Sequence, residues 1–172
     1  MSPFKLFYNC KNILLYFLIT VNLIFIPNTA ISKVVGNKIF IGTTFSLSGE
    51  NSSASNSFKI KIDKLLKDIN HSGGVNAGGR SYNLEIIFYN DESDSIKSNH
   101  LLTRLIQYDG VQFLIVLENI KLSDKTQNTI NDYDISVVRS NDALWIYKEA
   151  FETVDSVNSK QIRDFLIKKI MN

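Results

Sequence analysis

The side chains able to do chemistry fall into a few short polar stretches. Ser46 and Ser48 bring hydroxyls in "SLSGENSSASNS". Asp91 and Glu92 are adjacent carboxylates in "YNDESD", Glu118 and Asn119 follow "VQFLIVL", and Arg139, Ser140 and Asn141 follow "YDISVV". Hydroxyls and amides suit recognition of polar groups. Paired carboxylates could exchange protons, but no nucleophile or oxyanion donor lies near them in the sequence. His71 and His100 lack metal-ligand spacing and read as surface residues. A fifth stretch, "GGVNAGGR", places four glycines within seven residues, Gly73 to Gly79. It has neither the Walker spacing nor GxGxxG. With no triad, phosphate loop or metal set, the residues imply no enzyme and no cofactor.

These stretches need elements to hold them. "KIFIGTTF" (Lys38–Phe45), "YNLEIIFYN" (Tyr82–Asn90), "VQFLIVL" (Val111–Leu117) and "YDISVV" (Tyr133–Val138) are apolar or β-branched runs of strand length. Between them, Phe58, Ile62, Leu65, Leu66 and Ile69 recur at helical spacing, as do Ile96, Leu101, Leu102, Leu105 and Ile106. "KLSDKTQNTIND" predicts a polar helix with little to cover the strands beneath it, and "ALWIYK" (Ala143–Lys148) is a candidate fifth strand. "DSVNSKQIRDFLIKKI" closes the chain as a helix, with Val157, Ile162, Phe165, Leu166 and Ile170 on one face. Strand and helix alternate four times, which argues a doubly wound, parallel α/β sheet with helices on both faces, a three-layer αβα domain. In such sheets ligands sit beyond the carboxyl ends of the strands. Ser46, Ser48, Asn119, Ser140 and Asn141 all occupy such ends, so they are the candidate ligand-binding residues; for Ser46 and Ser48, turn capping is the commoner role. The glycine corner lies at the opposite end, after a helix and before a strand, so it predicts a helix C-cap at Gly73 or Gly74 and a tight return turn. Arg139 is expected to pair with Glu118 across adjacent strand ends, or else with a ligand carboxylate. Trp145, Tyr147 and Phe151 read as core or domain-edge packing, with an aromatic ligand wall as the alternative.

The amino terminus reads differently. Lys5 and Lys11 precede the 14-residue apolar run Ile13–Ile26, which Pro27 ends. Such a run matches a secretory signal core and is shorter than the ~20 residues of a membrane span. Ala30 and Ser32 set small residues where a signal peptidase reads. Residues 1–32 are therefore expected to be a cleaved signal peptide, with an uncleaved anchor as the competing reading, and residues 33–172 the exported domain. The segment holds two lysines and no acids, so a chain with 19 basic and 17 acidic residues would keep 17 of each after cleavage. That balance implies no nucleic-acid partner. Cleavage would also remove Cys10, the one cysteine, and with it disulfide and thiolate chemistry.

Taken as a spaced set, Ser46-Leu47-Ser48-Gly49, Ile69-Asn70, Gly73-Gly74-Val75 and Asp91-Glu92-Ser93-Asp94 resemble the amino-terminal lobe of type I periplasmic binding proteins. The closest subset is the branched-chain amino acid (Leu/Ile/Val) binding family of ABC transporters. The segment "WIYKEAFETVDSVNSKQIRDFLIKKI" is similar to that family's Tyr-x-Phe-Arg strand and following helix, so the resemblance covers roughly residues 38–172. It implies a periplasmic or otherwise secreted solute-binding component of an ABC importer, taking amino acids or related small polar molecules and working with a transporter permease. A doubly wound phosphorelay receiver is the rival fold, but it needs an acid pair after the first strand, where this chain has Thr43-Thr44-Phe45-Ser46.

The departures define the alternative. Where the family's third strand ends in Gly-Pro and small hydroxyl residues that hold a ligand carboxylate, this chain has Val116-Leu117-Glu118-Asn119, and Glu118 would repel a carboxylate at close range. Most of a second lobe is expected to be absent. A truncated, non-transporting remnant or interaction lobe that binds no ligand is therefore the second reading, with self-association through the vacant cleft face as a corollary.

Overall fold

The computed structural model describes residues 34–171; the expected signal peptide, its cleavage site and Cys10 lie outside the described residues. Six strands and five helices follow in the order β1 (Val34–Val35), β2 (Lys38–Phe45), α1 (Ser52–His71), β3 (Val75–Ala77), β4 (Arg80–Asn90), α2 (Ser95–Gln107), β5 (Phe113–Ile115), α3 (Asp124–Asp132), β6 (Ser136–Val138), α4 (Ala143–Val154) and α5 (Ser159–Met171). Strands β4, β2, β5 and β6 lie side by side in that order, all parallel. Short antiparallel strands extend the sheet: β1 on β2 and β3 on β4.

Two cores sandwich the sheet. On one face α1, α4 and α5 bring Phe58, Ile62, Tyr147, Phe151 and Ile162 onto Ile39, Ile41 and Phe113. On the other, α2 and α3 bring Leu102, Leu105 and Ile130 onto Leu114 and Val116. Strand β2 sits centrally, and six of its eight residues are buried. This is the doubly wound, three-layer αβα arrangement that the strand–helix alternation predicts.

Helix starts and stops follow local chemistry. Asp94 caps α2 by accepting from the N–H groups of Ile96 (2.8 Å) and Lys97 (3.0 Å). Ser123 Oγ caps α3 by accepting from Thr126 N at 3.2 Å. Helix α1 ends in a Schellman pattern: Gly74 N donates to Ile69 O (2.9 Å) and Gly73 N to Asn70 O (3.2 Å). Gly74 has φ +77°, and a Cβ there would lie 2.1 Å from Tyr82 O, so no other residue fits. Gly78 and Gly79, at φ +56° and +70°, form the two-residue turn joining β3 to β4. The glycine corner is thus a helix stop followed by a β-hairpin, and the short strand β3 between its two glycine pairs went unforeseen.

One element differs from expectation. "ALWIYK" is the first half of helix α4, not a fifth strand. Read through to Val154, the segment places Ala143, Leu144, Tyr147, Ala150 and Phe151 at helical spacing, and all five are buried. Six residues were too short a window to separate the two periods. Tyr147 and Phe151 are core as expected, but Trp145 points away from it and is 46% exposed. Helix α3 turns Thr126, Thr129 and Ile130 inward, a small but real buried face.

Candidate functional site

The chain reverses its direction of progress across the sheet at β2. From β2 it steps to β4 through α1, then returns past β2 to β5 through α2 and on to β6. The loops leaving β2 and β5 therefore diverge and open a crevice between them. A cleft of about 300 Å³ occupies that position, lined by Ser46, Asn51, Ala54, Ser55 and Phe58 on the β2–α1 side, and by Leu117, Glu118, Asn119 and Asn141 on the other.

The wall nearest α1 is stitched to the loop that follows β4. Ser46 Oγ donates to Asp91 Oδ1 at 2.6 Å, and both residues are buried. Leu47 N donates to Asn90 Oδ1 at 3.0 Å. Ser93 Oγ bridges the two loops, accepting from Asn51 N (3.0 Å) and donating to Ser48 O (2.8 Å). The same network holds Glu92 and Ser93 in the left-handed region, at φ 57° and 65°, through bonds from their N–H groups to Asn90 Oδ1 and Asp91 Oδ1. Asp91 is therefore a clamp, and Asp94 a helix cap.

The opposite wall is held by Arg139. Its guanidinium donates to the carbonyls of Ile120 and, at 3.4 and 3.5 Å, of Glu118 and Leu117. The expected ion pair with the Glu118 carboxylate does not form: the turn closed by Ile120 N on Leu117 O (3.0 Å) points its carbonyls, not the acid, at the arginine. Glu118 is left exposed at the cleft as its one charged lining side chain.

The five candidate residues separate accordingly. Ser46, Asn119 and Asn141 line the cleft. The Ser46 hydroxyl is committed as a donor to Asp91, and its main-chain N–H to Ser55 Oγ at 2.8 Å. Ser48 is exposed outside the cleft. Ser140 stands at the start of α4, where its Oγ accepts from Asp142 N at 3.1 Å. The reading of loop ends missed Asn51, Ser55 and Phe58, because these belong to the cap and first turns of α1 rather than to the strand end. The signal was available: an αβα sheet aims the amino-terminal end of each crossover helix at the same edge as the strand carboxyl ends. Asn51 is the residue before α1; its side chain makes no capping bond, so its amide remains available to the cleft. His71 and His100 are exposed and lie outside the cleft.

The cleft thus offers amides and hydroxyls, one carboxylate, an apolar floor of Ala54, Phe58 and Leu117, and the positive end of a 20-residue helix. Such a set can hold a small polar solute with an apolar portion.

No protein-family model matches the chain, and no curated protein matches it. Solved structures do. An ABC transporter substrate-binding protein from Aeropyrum pernix superposes with a TM-score of 0.53 at 14% identity, over 61% of this chain and 27% of that one. The branched-chain amino acid transporter substrate-binding protein LivJ from Streptococcus pneumoniae, in complex with isoleucine, gives 0.45 at 15% identity, over 66% and 32%. An ABC transporter solute-binding protein from R. palustris, in complex with 4-hydroxybenzoate, gives 0.47 at 21% identity, over 59% and 26%. This chain spans between about a quarter and a third of the length of these proteins. At such identities the likeness is one of fold, and the described residues have the periplasmic-binding-protein-like αβα fold of the Aeropyrum protein.

Proposed function

We propose that residues 33–172 form the amino-terminal lobe of an exported solute-binding component of an ABC importer, and that its ligand is an amino acid or a related small polar molecule. The observation that carries this reading is the polar cleft at the crevice between β2 and β5, where a doubly wound sheet binds ligands. The fold likeness supports it. Ser46, Asn119 and Asn141 are proposed as ligand-facing residues together with Asn51, and Ser48 and Ser140 as the loop residues that flank them. Export through a signal peptide within residues 1–32 belongs to the same reading; among the described residues no helix is long and apolar enough to cross a membrane.

Glu118 gives the ligand a direction. It repels a carboxylate placed on its own loop and attracts an ammonium, while the α1 amino terminus on the facing wall favours an anion. A zwitterion therefore lies with its carboxylate towards Asn51 and its ammonium towards Glu118. A single lobe leaves the cleft open on its outer side, so binding by this chain is expected to be no tighter than about millimolar, ~4 kcal/mol. Calorimetric titration with leucine and with N-acetylleucine tests the assignment. Glu118→Gln should weaken leucine binding several-fold, as expected of a partly exposed ion pair, and leave or improve that of the acetylated analogue. Equal effects on both ligands would reject the orientation, and micromolar binding by the unmodified chain would reject the single-lobe account.

A second reading, a lobe that keeps the fold without ligand binding, is favoured by one observation: the Ser46 hydroxyl is already donated to Asp91. The absence of any heat across an amino-acid panel would favour it.

A further inference from the structure

The outer edge of β4 is open over a short, defined length. Asn83 N donates to Asn37 O and Asp91 N to Phe45 O, so odd-numbered residues of this strand face β2. Even-numbered residues turn their main-chain groups outward. At Tyr82 the outward groups face β3. At Leu84 they are satisfied by a side chain: Asn70 Nδ2 donates to Leu84 O (2.9 Å) and Leu84 N to Asn70 Oδ1 (2.8 Å), so Asn70 imitates a neighbouring strand. Beyond it, Ile86 and Phe88 present their N–H and C=O groups with no partner among the described residues. Phe88 is also 40% exposed at this edge.

The rim beside this gap is charged in a self-complementary way. Lys59 Nζ lies 5.1 Å from the centre of the Phe88 ring and 2.7 Å from Asp63 Oδ2, one helical turn along α1. Lys59 is beside Phe88 and Asn70 beside Leu84, so interpolation along α1 sets Asp63 roughly level with Ile86. An antiparallel partner related by a two-fold axis through Ile87 would pair Ile86 with the second copy's Phe88 and Phe88 with its Ile86. That closes two hydrogen-bonded residue pairs. It also sets each Lys59 opposite the second copy's Asp63. An unrelated strand would close the same backbone bonds but not the reciprocal charge match.

We propose that the Ile86–Phe88 segment of β4 is a homodimerisation edge, joining two copies of this chain into one continuous sheet through antiparallel pairing about Ile87. The surface is separate from the cleft, since no cleft-lining residue lies on β4. The pairing stops where Asn70 blocks Leu84, which confines it to a short, reversible contact and protects the edge from indefinite stacking.

Sedimentation and amide hydrogen exchange on the purified chain test this across a concentration series. Dimerisation is expected, with protection of the Ile86 and Phe88 amides rising with concentration while those of Ile87 and Tyr89, already bonded to β2, stay unchanged. Phe88→Pro removes one outward donor without touching the β2 ladder and should abolish the dimer. Lys59→Asp sets acid against acid twice across the axis and should weaken dimerisation at least about tenfold, and the double exchange Lys59→Asp with Asp63→Lys should restore it. If Phe88→Pro fails to fold, the charge pair decides alone. A chain that stays monomeric throughout would overturn the proposal. So would a dimer indifferent to Lys59→Asp, or protection gained at residues of the cleft instead.

Discussion

Asp91→Ala tests how the cleft is built. The Asp91 carboxylate, buried at 3% exposure, accepts from Ser46 Oγ at 2.6 Å and from Ser93 N at 3.0 Å through the same oxygen. Hydrogen bonds to an ionised group are worth about 1.5–3 kcal/mol, and a neutral buried hydroxyl left unpaired costs about 1–3 kcal/mol. Ser46 would be left in that state, at 5% exposure. The second bond is closer to solvent and adds less. The expected loss is ~2–4 kcal/mol, a fall in Tm of ~8–16 °C for a domain of this size at about 4 °C per kcal/mol. Asp91→Asn keeps an acceptor in place and should lose roughly 1 kcal/mol. Urea denaturation of Asp91→Ala, Ser46→Ala and the double variant gives the coupling, expected at about 1.5–3 kcal/mol. A coupling below ~0.5 kcal/mol, or an Asp91→Ala variant as stable as its parent, would show that the Asn90 and Ser93 bonds hold the loops and that Asp91 is not the clamp.

Two further perturbations follow from buried or capping groups. The Asp94 carboxyl is held below its ordinary value of 3.8 by the N–H groups of Lys97 and Ile96. A lowered native pKa adds stability above the unfolded value that is lost as pH falls through the folded one; the advantage of the parent over Asp94→Asn should therefore be present near neutrality and shrink below about pH 4, and a gap constant across thermal melts from neutral to strongly acidic pH would contradict the cap's charge. Burial pushes the Tyr147 phenol far above its usual range, so it stays a neutral donor between the carbonyls of Leu114 (2.9 Å) and Ser136 (2.8 Å); Tyr147→Phe should cost ~1–2 kcal/mol in denaturant melts with no change in fold, and a neutral effect would mean water replaces the hydroxyl.

The sequence made the sheet legible because β2 and β5 are nearly continuous apolar runs, and nothing but a doubly covered sheet buries both their faces. The helix stop at the glycine corner was equally plain, since Gly74 sits where a Cβ would strike Tyr82 O. Three-residue β3 could not be seen, because no periodicity is expressed over such a length. The first half of α4 was misread for a related reason: Ala-Leu-Trp-Ile-Tyr is apolar enough for a strand until Ala150 and Phe151 extend the helical period. Loop position led to Ser46, Asn119 and Asn141, which line the cleft, but could not tell which donors were already spoken for. Ser46 is bound to Asp91, 45 residues away, and Arg139 to carbonyls whose direction depends on a tertiary turn. Such partners are set by folded geometry, not by spacing.

The central claim, that the crevice between β2 and β5 is where a small polar solute sits, is tested most directly by titrating the isotope-labelled chain with leucine and related amino acids and mapping amide and side-chain shifts. This method reads affinities as weak as those expected here. The account predicts saturable shifts at Ser46, Asn51, Ser55, Glu118, Asn119 and Asn141, with Trp145 and the β4 edge unmoved. Shifts centred anywhere else, such as the α4 face around Trp145, or none at saturating amino acid, would contradict it.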